Sequence, residues 1–359
     1  MSFNYRRIII KIGSNVITQS NGLPDVSRIS HLVDQVAEIK KQGIEVILVS
    51  SGAVASGRSL ISVAEKNDAV ATRQLLASIG QVKLINTYSQ LFDKYNMLCA
   101  QVLVTKEDFR DRQHYLNMKN CLEILLQHQA IPVINENDVV SVTELMFTDN
   151  DELAGLIASM LSAQALIILT NVDGIYDGDP KLPGSAVIRQ VTESGIDFST
   201  FVSTGKSQFG RGGMITKSSI AQKTAKLGIA VHIANGTTND ILNKILADAV
   251  THTQFVPNKK ASGKKKWIAH SETAATGVVQ VNDGAKAALI SNKASSLLPV
   301  GVTNIISGFK KGEIIKIVDE SNNLIGLGLA EYGADKAEEW AGQKKQRPLV
   351  HYDYLYLQA

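Results

Sequence analysis

Cysteine is nearly absent from this chain of 359 residues, which holds only Cys99 and Cys121. Two thiols cannot staple a disulfide framework, and neither is expected in a structural bridge, so a reducing, cytoplasmic setting is expected. Long apolar runs are missing too: no stretch approaches the ~20 residues that cross a bilayer. Near the start, Arg6-Arg7 lead into three isoleucines and then Lys11, far short of a signal-peptide core. No sign of charge dominates, and a formal +3 is too mild to argue for a nucleic-acid partner. The seven histidines include no pair at metal-ligand spacing, so no metal-binding residues are assigned. Neither a Ser-His-Asp elbow nor a reactive Cys-His arrangement is present.

What is present is alternation. RIIIKI (7–12), EVILVS (45–50), CAQVLVT (99–105), IPVIN (131–135), ALIILTNV (165–172) and AVHIAN (230–235) read as strands. Each is nearly continuous in apolar residues, as strands covered on both faces of a parallel sheet are. Amphipathic helices separate them, among them ISHLVDQVAEIKKQ, closed by Gly43, and NMKNCLEILLQHQ. The fold class is therefore α/β, an open, mostly parallel, doubly wound sheet, with ligands at the carboxyl ends of its strands. A lysine-rich stretch, FVPNKKASGKKKW (255–267), reads as a linker. Beyond it, short alternating strands with Asn-Asp-Gly and Asn-Asn turns predict a small β-rich module. The expected division is 1–255 for the large domain, 256–268 for the linker and 269–359 for the small domain.

Lys11 poses the first chemical question, because an ammonium inside a buried strand costs several kcal/mol unless something negative meets it. It either snorkels at a strand end or serves an anionic ligand there. In FGRGGMITK, Gly210, Gly212 and Gly213 lead into a helix carrying Lys217. Freed backbone amides, a helix N-terminus and a lysine form an anion site, although a flexible loop before a helix fits the same residues. SSGAVASG (50–57) opens a helix after a strand, either as a tight turn or as a ligand contact. VINENDVVS places Asn135, Glu136, Asn137 and Asp138 just past a strand, and FTDNDELAG places Asp149, Asn150 and Asp151 at a helix start. Capping suffices for the second group but explains the first less well, since no helix follows it. Polar, partly anionic loops beside a lysine-bearing crevice suit a zwitterionic substrate, its ammonium on Asn and Asp, its carboxylate on backbone amides and Ser51.

Taken in order, KIGSNVIT, VSSGAVASGR, RQLLASIGQ, PVINENDVV, DNDELA, LTNVDGIYDGDP and GRGGMITK resemble the glutamate 5-kinase family, a branch of the amino-acid kinases. The likeness covers essentially the whole chain, and the C-terminal module resembles a PUA domain. It implies the amino-acid kinase fold and ATP-dependent phosphorylation of the L-glutamate side-chain carboxylate, the first step of proline biosynthesis, with Mg²⁺ as cofactor. By resemblance, Lys11 and Lys217 contact the ATP phosphates, and Asp151 sits between them as the third catalytic residue. Ser51, Gly52, Ala53, Asn135, Asp138 and Asn150 form the glutamate site. Gly13, Thr170, Asn171, Arg211, Gly212, Gly213, Met214, Ile215 and Thr216 join both lysines at the nucleotide. Related enzymes often carry Asp where this chain has Asn171, which hydrogen-bonds but brings no charge.

The chemistry agrees with those residue types. A glutamate carboxylate, with a pKa of about 4.3, is already ionised near neutrality and needs no general base. The barrier is one anion approaching another, and compensating charge lowers it. The resemblance also implies proline as feedback inhibitor, a homo-oligomer (tetramer or dimer) and a possible glutamyl-phosphate reductase partner. N-acetylglutamate kinase, aspartokinase and uridylate kinase share the architecture but differ in the substrate loops. The alternative class is an RNA-binding or RNA-modifying protein using the PUA-like end, with KKASGKKKW as a phosphate contact; a solvated linker is the favoured explanation of that tract. No membrane partner is expected.

Overall fold

The computed structural model describes residues 4–62, 68–141, 147, 149–179, 182, 184–192, 213–257, 263–269, 275–291 and 295–357. The chain divides into two compact units, Met1–Lys260 and Ala261–Ala359.

In the first unit the strands are β1 (Arg7–Ile12), β2 (Glu45–Ser50), β3 (Cys99–Val104), β4 (Ile131–Glu136), β5 (Ala165–Thr170), β6 (Gln190–Val191), β7 (Ala230–Asn235) and β8 (Thr253–Phe255). They form one sheet in the order β3-β4-β2-β1-β5-β7-β8-β6. Every neighbouring pair is parallel except β7 with β8. The helices are α1 (Val26–Lys41), α2 (Ala53–Arg58), α3 (Ala69–Asp93), α4 (Glu107–Arg110), α5 (Arg112–Gln127), α6 (Asn150–Met160), α7 (Met214–Lys226) and α8 (Ile241–Leu246).

The six long strands begin where their apolar runs predict and end within two residues of the expected points. Ile8, Ile9 and Ile10 of β1 are fully buried, as a strand between β2 and β5 with both faces covered requires. β3 departs from that expectation. It lies at the sheet edge, and most of its residues keep partial exposure, Leu103 within it and Leu98 just before it remaining exposed. Helix α1 carries its signals as written: the Asp25 carboxylate accepts from the Arg28 N–H, Lys40 and Lys41 occupy the last turn, and Gly43 follows at φ 84°. β6 and β8, two or three residues long, went unpredicted, because so short a run carries no period.

The chain leaves β1 for β2 on one side of the sheet and later places β5 on the other side of β1. Such a reversal opens a crevice at the carboxyl ends of the strands. The loops after Ile12, Ser50, Glu136, Thr170 and Asn235 all emerge there.

The second unit holds α9 (Gly263–Ala269), α10 (Asp283–Ile290) and α11 (Ala334–Trp340) with a sheet of β9 (Gly277–Val281), β10 (Val302–Ser307), β11 (Ile314–Val318), β12 (Leu324–Leu329) and β13 (Leu355–Leu357). Its order is β10-β9-β11-β12-β13. Two expectations need correction. The lysine-rich stretch read as linker ends in α9, which buries Trp267, Ile268 and Ala269 against β12 and β13; three consecutive apolar side chains outweigh the lysines before them. Asn282-Asp283-Gly284 is not a hairpin turn either: the Asn282 side chain accepts from the Ala285 N–H and caps α10. The Asn322-Asn323 turn does join antiparallel β11 and β12, with Asn322 at φ 64°. No helix among the described residues is long and apolar enough to cross a membrane.

Candidate active site

Lys11 stands one residue from the end of β1, paired across to Val49 and Ile168, and is 5% exposed. The negative partner it requires is Asp151, in the first turn of α6, which packs on β1 and α7. Lys11 Nζ lies 2.7 Å from Asp151 Oδ1, and Lys217 Nζ, from the first turns of α7, lies 2.6 Å from Oδ2. One fully buried carboxylate thus holds two ammonium groups, one on each oxygen. Burial alone would raise the Asp151 carboxyl, but the two lysines more than offset that and hold it well below the usual carboxylate range. Lys217 moves the opposite way: burial would lower it, while Asp151 and then Asp149 raise it above the ordinary lysine value.

Glycine matters at two points nearby. A Cβ on Gly13 would stand 3.0 Å from the Leu169 carbonyl oxygen and 3.6 Å from Lys11 Nζ, so the bare backbone lets β1 turn close against β5. Gly52 caps α2 at φ 110°, and a Cβ there would also meet Ile17 at 2.9 Å. Thr170 is buried at the end of β5, with its hydroxyl 3.4 Å from the Asn171 side-chain oxygen, and Asn171 is exposed. Gly213 precedes α7, and among the described residues no side chain caps that helix. Its first-turn amides, from Met214, Ile215 and Thr216, are those of an open helix N-terminus. Arg211 and Gly212 lie outside the described residues.

The amide cluster forms the other half of the site. Asn150 Nδ2 donates to Ser51 Oγ and to Asn135 Oδ1, each at 3.0 Å, tying the ends of β2, β4 and α6 together. Ala53, first residue of α2, is buried beside them. Asp138, two residues past β4, is buried and ion-paired with Arg73 of α3.

Three participants were not singled out from sequence, Arg73, Gln81 and Asp173; a fourth, Asp149, was expected at a helix start. Arg73 and Gln81 reach the cluster from α3, Gln81 Oε1 accepting from Asn135 Nδ2 at 3.0 Å. Asp173, held by Asn235 at 2.9 Å and Tyr176 at 3.3 Å, brings a carboxylate two residues beyond Asn171. Asp149 caps α6, with Oδ1 accepting from the N–H groups of Asp151 and Glu152. Asp149 was readable as an N-cap; Arg73, Gln81 and Asp173 lie inside the stretches RQLLASIGQ and LTNVDGIYDGDP, but their partners are set by long-range pairing.

Asp149 Oδ2 is buried and, among the described residues, has no partner. Burial, then repulsion from Asp151, pushes this carboxyl up from 3.8 to about 6. The sign follows: above pH 6 the folded protein carries a disfavoured charge, and as pH falls toward 3.8 it takes up a proton that the unfolded chain does not. Asp149→Asn keeps the cap acceptor and removes the charge. It is expected to raise Tm by a few degrees at pH 7.5, at most about 3 kcal/mol by linkage. At pH 4 the gain is expected to vanish, and thermal melts across that range check it.

An open parallel sheet thus carries a lysine–carboxylate–lysine bridge at its carboxyl edge, beside a hydrogen-bonded cluster of amide side chains. Residues 6–235 match the model of the amino acid kinase family and residues 277–352 that of the PUA domain. The chain belongs to the amino acid kinase family. It is 52% identical over 361 residues to a glutamate 5-kinase of Bacteroides thetaiotaomicron, spanning 100% of both chains. Identity is 50% over 354 residues to a glutamate 5-kinase of Chlorobaculum tepidum, with 98% of each chain covered. The structure of a carbamate kinase from Giardia lamblia bound to AMP-PNP superposes with a TM-score of 0.51 at 17% identity, covering 70% of this chain and 99% of that one. That likeness concerns the fold.

Proposed function

We propose that the chain transfers the γ-phosphoryl group of ATP to the side-chain carboxylate of L-glutamate, giving L-glutamyl 5-phosphate, the first step of proline biosynthesis. The Lys11–Asp151–Lys217 bridge carries this reading, and the full-length relatives named glutamate 5-kinase support it. In the reaction a carboxylate oxygen of glutamate attacks the γ-phosphorus, the bond from that phosphorus to the β–γ bridging oxygen breaks, and ADP leaves with the electron pair. The nucleophile is already an anion, so the protein's work is alignment and charge compensation. Lys11 and Lys217 neutralise the phosphoryl oxygens in transit, and Asp151 keeps the two ammonium groups together. Gly13, Thr170, Asn171 and the stretch Arg211 to Lys217 surround the nucleotide in this reading. Ser51, Gly52, Ala53, Asn135, Asp138 and Asn150 hold glutamate.

Magnesium is proposed to enter with the nucleotide. Among the described residues no group of three or more His, Cys, Asp or Glu side chains gathers to hold a metal. A magnesium ion that enters with ATP is bound chiefly by phosphate oxygens and water plus one or two carboxylates. The buried, unpartnered Asp149 Oδ2 is the oxygen the site offers it. Bound there, the cation would supply further neutralisation of the phosphates.

A coupled ADP assay with glutamate, N-acetylglutamate, aspartate and UMP tests the assignment; turnover confined to glutamate is expected, and turnover on another acceptor alone would replace it. Asp138→Ala is expected to raise the glutamate KM about 30-fold or more with a smaller change in kcat, because a charged hydrogen-bond partner of the bound substrate is lost. An unchanged KM would remove Asp138 from the substrate site.

The catalytic domain is proposed to end near residue 255, and the PUA-like domain, expected from 269, is proposed to begin with α9 at Gly263, in a cytoplasmic enzyme. The RNA-binding alternative is not favoured, since kinases match along the whole chain, both units included. Proline inhibition, a dimer or tetramer, and hand-over of the acyl phosphate to a reductase are proposed on resemblance. Proline raising the apparent glutamate KM, light scattering and coupled turnover with a reductase test them in turn.

A further inference from the structure

We infer that Arg73 binds the α-carboxylate of the amino-acid substrate, so that Arg73 and Asp138 together form a charge pair matching the substrate's zwitterionic head. This rests on the glutamate phosphorylation proposed above and names a residue for a group that reading leaves without a cation.

The geometry is unusual for a merely structural ion pair. Arg73 Nε donates to Asp138 Oδ1 at 2.9 Å, and Nη2 donates to the same oxygen. Both donors converge on one atom, so among the described residues Asp138 Oδ2 and Arg73 Nη1 make no bond. A paired acid and base each keep one unused position, an acceptor for an ammonium and a donor group for a carboxylate. The Arg73 side chain is 32% exposed, against 8% for Asp138, so the pair is reached from solvent on the guanidinium side.

The base of Arg73 is fixed. Its neighbour Gln74 donates to the Val139 carbonyl at 2.7 Å, and Gln81, two turns on, accepts from Asn135. Helix α3 is thereby clamped to the end of β4, at Asn135, and to the loop after it, which carries Asp138. Gln81 Nε2 is buried there without a partner among the described residues, a spare donor beside the same cluster.

Among the described residues, three other basic side chains near the site are already engaged. Lys11 and Lys217 are held by Asp151 at the phosphoryl end. Lys106, near the end of β3, is paired with Glu152 at 3.1 Å. Glu136 also lies 3.7 Å from Arg73, but its other oxygen accepts from the Phe147 N–H at 2.9 Å. Arg73 therefore keeps the donors suited to a planar carboxylate, for which a guanidinium fork is better shaped than an ammonium.

The test compares L-glutamate with L-isoglutamine, which keeps the acceptor carboxylate and the ammonium but carries a carboxamide in place of the α-carboxylate. Wild-type protein is expected to prefer glutamate by about 100-fold in kcat/KM, the scale of a lost charge-assisted interaction. In Arg73→Met that preference is expected to collapse to about threefold or less, because only glutamate loses a partner. Arg73→Lys, which keeps the charge without the fork, is expected to retain an intermediate preference, and thermal melts verify that both variants fold. Equal loss on both substrates, with the preference intact, would overturn the proposal and leave Arg73 acting only through Asp138; so would a wild-type enzyme that does not distinguish the two. Wild-type protein that forms no ADP from glutamate would overturn the phosphorylation itself.

Discussion

Lys217→Ala is expected to lower kcat about a thousandfold while the glutamate KM changes less than about fivefold, and Lys11→Ala to do the same. The ground is charge. At the transition state the γ-phosphoryl group sits between an incoming carboxylate and a departing diphosphate, and the two ammonium groups are the described cations fixed at the end of β1. Each is aimed by the carboxylate between them, at 2.7 and 2.6 Å, so little reorganisation is needed when charge develops. Their removal acts on the transition state, because a substrate with its head on Asp138 and Asn150 does not need them to bind. Lys217→Arg separates charge from geometry. It keeps the positive charge, yet a guanidinium placed on Asp151 Oδ2 cannot also reach the point an ammonium reaches, so kcat is expected to remain at least tenfold low. Steady-state kinetics at saturating ATP check all three variants. Near-normal turnover in either alanine variant would remove that lysine from the phosphoryl site.

Much of this was written locally. The strand at residues 7–12 is legible because a parallel strand buried on both faces must be an unbroken apolar run, and Lys11 stands out because it interrupts one. The stop at Gly43 and the cap at Asp149 are local backbone chemistry, and the spacing of a few residues reveals them. The Lys11–Asp151–Lys217 meeting rests on the β1–α6–α7 packing, which no short stretch encodes; only the ordered set of motifs pointed to it. Arg73 escaped notice because its partner lies 65 residues away, and a lone basic residue on a helix is ordinarily a solvated one. β3 misled because an edge strand in an α/β sheet can be nearly as apolar as a central one. Helix α9 was hidden by its lysines, since composition averages over the stretch whereas folding follows Trp267, Ile268 and Ala269.

Asp151→Asn is expected to be the most destabilising of the site substitutions. Asn occupies nearly the same volume, so any loss reports charge and not packing. In the wild type a carboxylate with no exposure is balanced by two cations. The variant leaves two ammonium groups, one of them on a core strand, facing each other across a neutral amide. Breaking a buried pair by removing one partner costs about 3–5 kcal/mol, and for a domain of this size that corresponds to a Tm lower by about 8–15 °C. The pH profile identifies the cause. Asp151 titrates below its ordinary range in the fold, so its contribution is complete above the unfolded carboxyl value of 3.8 and is lost as pH falls below it. Lys217 titrates above its ordinary 10.5, so its share is complete below that value and is lost as pH rises through the folded one. The gap in Tm between wild type and variant is therefore expected to stay level from about pH 5 to 9 and to narrow at both extremes. Melting curves at half-unit intervals measure it. A variant that melts with the wild type across that plateau would mean the two lysines do not depend on Asp151, and the arrangement on which phosphoryl transfer is built would have to be abandoned.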